Sequence, residues 1–248
     1  MAVIDQESEP ETSPEPPSAP RRRRRIGLAA VIGVLGELLI TAGVILGLFV
    51  VYSLWWTNVI ANREAQRDGA EVRQKWAQDG PGGAERDFDP GEGVGFLHVP
   101  SMGGEVLIKK GTSTKELDKG VAGYYTDPVE ATPPWEGDGN FSLAAHRDGH
   151  GAKFHDIHRI EEGDPIVVET EDTWYVYKVY EILPKTSKYN VEVLDDVPEV
   201  SGRDEKGKYI TLTTCTPVLT SDYRYIVWGE LVRTEKVDER RTLPKEIR

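Results

Sequence analysis

Tyr209-Ile-Thr-Leu-Thr-Thr-Cys215-Thr-Pro217 alternates apolar and hydroxyl side chains and runs into the only cysteine of the 248-residue chain. β-branched and aromatic residues in alternation suit a half-buried strand, predicted over 209–214. Nine residues after the thiol, Arg224 opens a second such run that continues to Val232. Strands adjacent in sequence usually pair, so this spacing predicts the thiol and the guanidinium facing each other across one end of a sheet. Outward from this pair the chain repeats the pattern at 94–99, 105–110, 141–145, 165–169 and 174–183, with Gly, Pro and Asp clusters between the runs. Helical pattern is scant: Thr112-Ser-Thr-Lys-Glu116 supplies a cap followed by an acid, opening a short turn to Lys119, and a second turn is expected near 154–160. Seven or eight short strands with few helices predict a closed barrel or a sandwich.

The segments before this domain set its surroundings. Residues 1–25 are rich in Pro, Glu and Ser and end in five arginines, Arg21 to Arg25. Such a composition cannot bury enough apolar surface to order itself, so a disordered tail is expected. From Ile26 to Trp56 the only charge is Glu37, and about 20 apolar residues suffice to cross a bilayer. Arginines before an apolar span hold that side in the cytoplasm, which predicts a signal anchor over 26–56 with everything after Trp56 outside the cell. Counted back from Trp55 and Trp56 as an outer interfacial belt, Glu37 falls near the inner headgroups. Residues 57–90 read as a polar, partly helical stalk that ends in the flexible Gly80-Pro-Gly-Gly83. One domain remains over 91–234, followed by a tail over 235–248. Of the net charge of −12, −11 lies beyond Trp56, and an acidic ectodomain is a poor nucleic-acid binder.

An unpaired cysteine outside the membrane is exposed to oxidation, which raises the question of what its sulfur does. His146 sits just past the run 141–145, so three groups at strand ends would converge on one rim: a nucleophile in Cys215, a proton carrier in His146 and a permanent cation in Arg224. Arginine cannot act as a base, so its role is electrostatic. His146, His150, His155 and His158 form a second grouping, yet Gly149 and Gly151 break any helix that would align them as metal ligands; no metal or other cofactor is expected. His98 reads as an ordinary strand residue.

Thr211-Leu-Thr-Thr-Cys215, an arginine nine residues on and a histidine about seventy residues upstream resemble the sortases, cysteine transpeptidases of the Gram-positive cell wall. The resemblance extends over 96–232, and Thr213 with Gly123-Tyr-Tyr125 is most similar to class E sortases of actinobacteria. The chain departs from the family pattern in Ala145 before the histidine, in Tyr124 before Tyr125 and in the charged stretch Arg147-Asp-Gly-His150. The resemblance implies an all-β, eight-stranded barrel. It also implies cleavage of a carboxy-terminal sorting signal of the Leu-Ala-x-Thr-Gly or Leu-Pro-x-Thr-Gly kind between Thr and Gly, through a thioester on Cys215, with transfer to a peptidoglycan precursor amine. Thr214, Tyr125, Ala145, Val218 and Leu219 are then expected at the substrate groove, with Tyr125 favouring alanine at the second signal position. A tethered barrel that binds or scaffolds at the wall without turnover is the alternative, against which all three reacting groups speak.

Overall fold

The computed structural model describes residues 27–79 and 93–248, so the expected tail over 1–25 and the Gly80-Pro-Gly-Gly83 joint lie outside the described residues. The chain forms two units, Met1–Leu48 and Phe49–Arg248. In the first, the helical residues from Leu28 carry their large apolar side chains outward, with Leu35, Leu38, Leu39 and Ile45 all exposed. The helix holding them is a candidate membrane span, with an 18-residue window of mean hydropathy 2.4 and nothing in that window buried.

This helix, α1, runs from Leu28 to Asp79, so the stretch expected to be partly helical is helical throughout its described part. Within the second unit its face is made of Ala61, Ala65, Gly69 and Val72, spaced four, four and three residues apart, and all of them are buried. That spacing is one side of a 3.6-residue helix. Small side chains let the helix close on the barrel: a Cβ at Gly69 would stand 3.1 Å from Phe96. Trp76 adds an edge-to-face contact with the same ring, centroids 5.5 Å apart.

Eight strands follow: β1 (Gly93–His98), β2 (Glu105–Lys110), β3 (Ala122–Tyr124), β4 (Gly139–Ala144), β5 (Pro165–Glu169), β6 (Thr173–Ser187), β7 (Lys208–Thr216) and β8 (Tyr223–Lys236). They close in the order β1-β2-β3-β4-β7-β8-β6-β5, which makes the barrel expected from the sequence. The single-turn helix α2 (Thr114–Leu117) precedes β3, its first turn capped by Ser113, whose hydroxyl accepts from the Glu116 N–H at 3.3 Å. β3 is the strand not foreseen; it pairs parallel with β2 and antiparallel with β4.

One core fills the barrel, with Phe141, Leu143, Ile166, Tyr177, Ile210, Leu212 and Val227 among its buried members. A second cluster lies on the opposite face of β7 and β8, where Ile226 and Trp228 are covered by Val193 and Leu194 and the indole N–H donates to the Val193 carbonyl at 3.0 Å. This cover protects one stretch of that face.

The one grouping of metal-capable side chains among the described residues is His98, Glu105 and Glu169. Arginines occupy it. Glu169, 1% exposed, takes Arg73 Nη1 at 2.9 Å, Arg241 Nη2 at 2.8 Å and His98 Nε2 at 2.9 Å. Burial alone would raise its pKa, but the bonds from His98, Arg73 and Arg241 outweigh it and hold the carboxyl at about 2. His98, read as an ordinary strand residue, is therefore one partner of the buried Glu169 carboxylate, and Arg241 of the expected tail is another.

Candidate active site

Cys215 is the penultimate residue of β7 and the direct cross-strand partner of Arg224 on β8. Directly opposed residues in an antiparallel pair project to the same side, about 5 Å apart at Cβ. Side chains alternate along β7, so Thr213 shares that side, while Thr214 points to the other. Arg224 Nη1 donates to the Ser221 and Tyr223 carbonyls at 3.1 and 3.0 Å, which sets the plane of its fork.

His146 arrives from β4, which pairs parallel with β7 with Ala144 opposite Thr213. Two residues further on each strand bring His146 level with Cys215. The junction is tied twice, by the Ala145 N–H to the Thr213 carbonyl at 3.3 Å and by the Thr214 hydroxyl to the Ala145 carbonyl at 2.7 Å. The structure thus brings the three expected groups to one rim.

Sequence reasoning missed the partner of the histidine. His146 Nε2 lies 2.8 Å from Asp118 Oδ1, at the carboxy-terminal cap of α2, and His150 Nδ1 lies 3.6 Å from the same oxygen. Of the other histidines in the expected grouping, His155 and His158 set Nδ1 on the carbonyls of Arg147 and His155.

The charged stretch after His146 also has an explanation. Arg147 is buried and donates from Nη1 to the Thr216 hydroxyl at 3.1 Å and to the Cys215 carbonyl at 3.4 Å. Asp148 Oδ2 accepts the Leu219 N–H at 2.7 Å. The histidine loop and the thiol loop are therefore fastened to each other at Cys215 and beyond it.

The expected groove residues divide. Tyr125 is held with its hydroxyl 2.9 Å from the Thr213 hydroxyl. Burial pushes its phenol up, while the Thr213 bond and the Arg224 charge pull it back. Val218 and Leu219, 43% and 80% exposed, stand free on the β7–β8 loop. Thr214 and Ala145, 3% and 4% exposed, are turned away from solvent and bonded to each other, so they build the wall behind the rim. Across β8, Thr186 and Ser187 of β6 pair with Arg224 and Tyr223, and the chain beyond them exposes Tyr189 and Val191. Two loops with exposed apolar side chains therefore leave the sheet beside the Cys215–Arg224 pair. A peptide backbone laid between them would meet a thiol, an imidazole and a guanidinium together.

The chain matches the Sortase domain model over residues 97–232. It is similar to Sortase SrtE2 of Streptomyces coelicolor, 65% identical over 236 residues, which cover 92% of this chain and 93% of that protein. To Sortase SrtE1 of the same organism it is 48% identical, over 85% of this chain and 60% of the relative. Among solved structures, that of sortase E1 from Streptomyces coelicolor with a tripeptide in its active site aligns with a TM-score of 0.60, covering 63% of this chain and 97% of the other. Sortase E from Streptomyces avermitilis aligns at 0.56 with 33% identity, over 65% of this chain and all of the other.

Proposed function

The chain belongs to the sortase family of cysteine transpeptidases and is most like its actinobacterial class E members; on that premise we propose that Cys215, His146 and Arg224 carry the transfer reaction as follows. The Cys215 thiolate attacks the carbonyl carbon of the Thr-Gly bond in a bound sorting signal. The oxyanion that forms lies beside Arg224, a fixed cation whose charge needs no rearrangement as the negative charge develops. As the C–N bond breaks, the His146 imidazolium gives its proton to the leaving glycine amine, and a thioester on Cys215 remains. An acceptor amine then attacks the thioester carbonyl, His146 removes the amine proton, and the sulfur leaves as thiolate. The thiolate and imidazolium are restored, and one amide has been exchanged for another.

The observation that carries this reading is the register. Cys215 opposes Arg224, and His146 stands level with Cys215 across the parallel β4–β7 pair. Asp118 orients the imidazole by accepting its Nε2 proton, which leaves Nδ1 for the proton transfers. Arg147 and Asp148 keep the thiol loop from drifting, and Thr214 with Ala145 supports the rim. Val218 and Leu219 supply an apolar side of the groove. Tyr125, its hydroxyl paired with that of Thr213, keeps a lone pair with which to accept the amide N–H of an alanine at the second signal position, an N–H that proline lacks. Leu-Ala-x-Thr-Gly is therefore the favoured signal.

Secreted proteins ending in such signals and a lipid-linked peptidoglycan amine are the partners. The five arginines before the apolar helix support an amino terminus in the cytoplasm and a barrel outside. The test is to incubate the full chain in detergent with a Leu-Ala-x-Thr-Gly peptide and look for the acyl adduct by intact-mass spectrometry. An adduct on Cys215, absent from Cys215→Ala, is the expected result; a folded protein that never acquires the adduct would overturn the mechanism.

A further inference from the structure

His146 and Asp118 reach each other from two loops, and both loops end against the same helix. The loop after His146 is closed by the Phe154 N–H bonding to the His146 carbonyl at 3.1 Å, and its tip carries Gly149 to Lys153. At that tip the Gly151 N–H donates to Asn58 Oδ1 at 2.8 Å and Lys153 Nζ donates to Asn62 Oδ1 at 2.9 Å. The turn after Asp118 carries Gly120, where a Cβ would stand 3.0 Å from the Ala61 carbonyl oxygen. A Cβ at Gly151 would stand 3.0 Å from Asn62 Oδ1 and 3.3 Å from Gly120 Cα, so the two loops and the helix meet at one point. Both glycines have positive φ, +72° and +82°, the conformation that lets the backbone come this close.

A tether has no need of such contacts. Its seat on the barrel is already supplied further along by Gly69 and Val72 against β1 and by the Arg73–Glu169 pair. The Asn58 to Asn62 turn instead touches the segments that carry the proton carrier and its carboxylate. We propose that Asn58 and Asn62 are positioning residues of the active site, holding the loop after His146 so that the imidazole stays on Asp118 and level with Cys215. This rests on His146 being the proton carrier. It makes the helix leaving the apolar segment part of the catalytic scaffold.

The experiment uses the full chain in detergent, comparing the parent with Asn58→Leu/Asn62→Leu, which removes both acceptors, and Asn58→Asp/Asn62→Asp, which keeps them. The expected result with a Leu-Ala-x-Thr-Gly peptide is that the leucine pair loses about tenfold in kcat with KM within about twofold, while the aspartate pair stays near the parent. Deuterium uptake should rise in the leucine pair over 147–153 and 117–121, with β5 and β6 unchanged as the fold control. Parent-like kcat in the leucine pair, or parent-like uptake in those two segments, would overturn the proposal. A parent that cleaves no sorting peptide would count against the reaction itself, and the exchange comparison would still decide whether the helix holds the loops.

Discussion

Glu169 is the buried carboxylate on which helix α1, strand β1 and the residues after β8 converge, and replacing it by glutamine keeps the shape while removing the charge. Its carboxyl is held from an ordinary 4.5 down to about 2. Lowering a pKa by one corresponds to about 1.4 kcal/mol, so the charge contributes about 3 kcal/mol at neutral pH. The sign follows from proton binding. Between pH 2 and 4.5 the unfolded chain binds a proton that the folded chain does not, so the contribution is complete above pH 4.5 and disappears as pH falls towards 2. Parent and Glu169→Gln should therefore differ by about 3 kcal/mol at pH 7, or about 6–12 °C in Tm for a chain of this size, and by under about 1 kcal/mol near pH 2. Urea unfolding followed by tryptophan fluorescence measures the gap at each pH. A gap below about 1 kcal/mol at pH 7, or one that is the same at pH 7 and near pH 2, would refute the reasoning.

Arg224→Lys keeps a charge but loses the planar fork, and a fall of about a hundredfold in kcat/KM is expected from peptide-cleavage kinetics; parent-like activity in Arg224→Ala would remove the electrostatic role. Asp118→Asn keeps an acceptor for the Nε2 proton without the charge, whereas Asp118→Ala removes both. The alanine variant should lose about tenfold or more in kcat, and the nitrogen resonances of His146 should report a mixture of tautomers in it alone. Tyr125→Phe removes the lone pair offered to the peptide, so the preference for alanine over proline at the second signal position should shrink by a few-fold to about tenfold in direct competition. An unchanged preference would leave the phenol without a part in selection.

The large-residue strands were legible in the sequence to within a few residues, because β-branched and aromatic side chains mark a buried sheet wherever they recur. β3 was not: it has three residues, one of them Gly123, and a Cβ there would press into the Gly111 carbonyl, so the position needs the residue that most weakens a strand signal. The seat of α1 escaped for a similar reason. Its contact face is Ala, Gly and Asn, chosen for close approach, and small residues look like the surface of a polar stalk. That Cys215, His146 and Arg224 share one rim was readable from their places at strand ends. Asp118 was not, because one carboxylate at the end of a single-turn helix has no pattern of its own. Alternation along β7 could have settled Thr214, since with Cys215 facing the groove its neighbour must face the other way.

The parallel pairing of β4 with β7 has a consequence for how the site comes into being. Cys215 and Arg224 are nine residues apart and meet in a local two-strand unit, whereas His146 reaches Cys215 only after β5, β6 and the segment over Val193 and Leu194 have been laid between them. Contacts of long sequence separation carry most of the loop-closure entropy and form late. The thiol therefore acquires the guanidinium early and the imidazole among the last events of folding. A nascent chain carries an incomplete site, one whose imidazole arrives only when the barrel shuts.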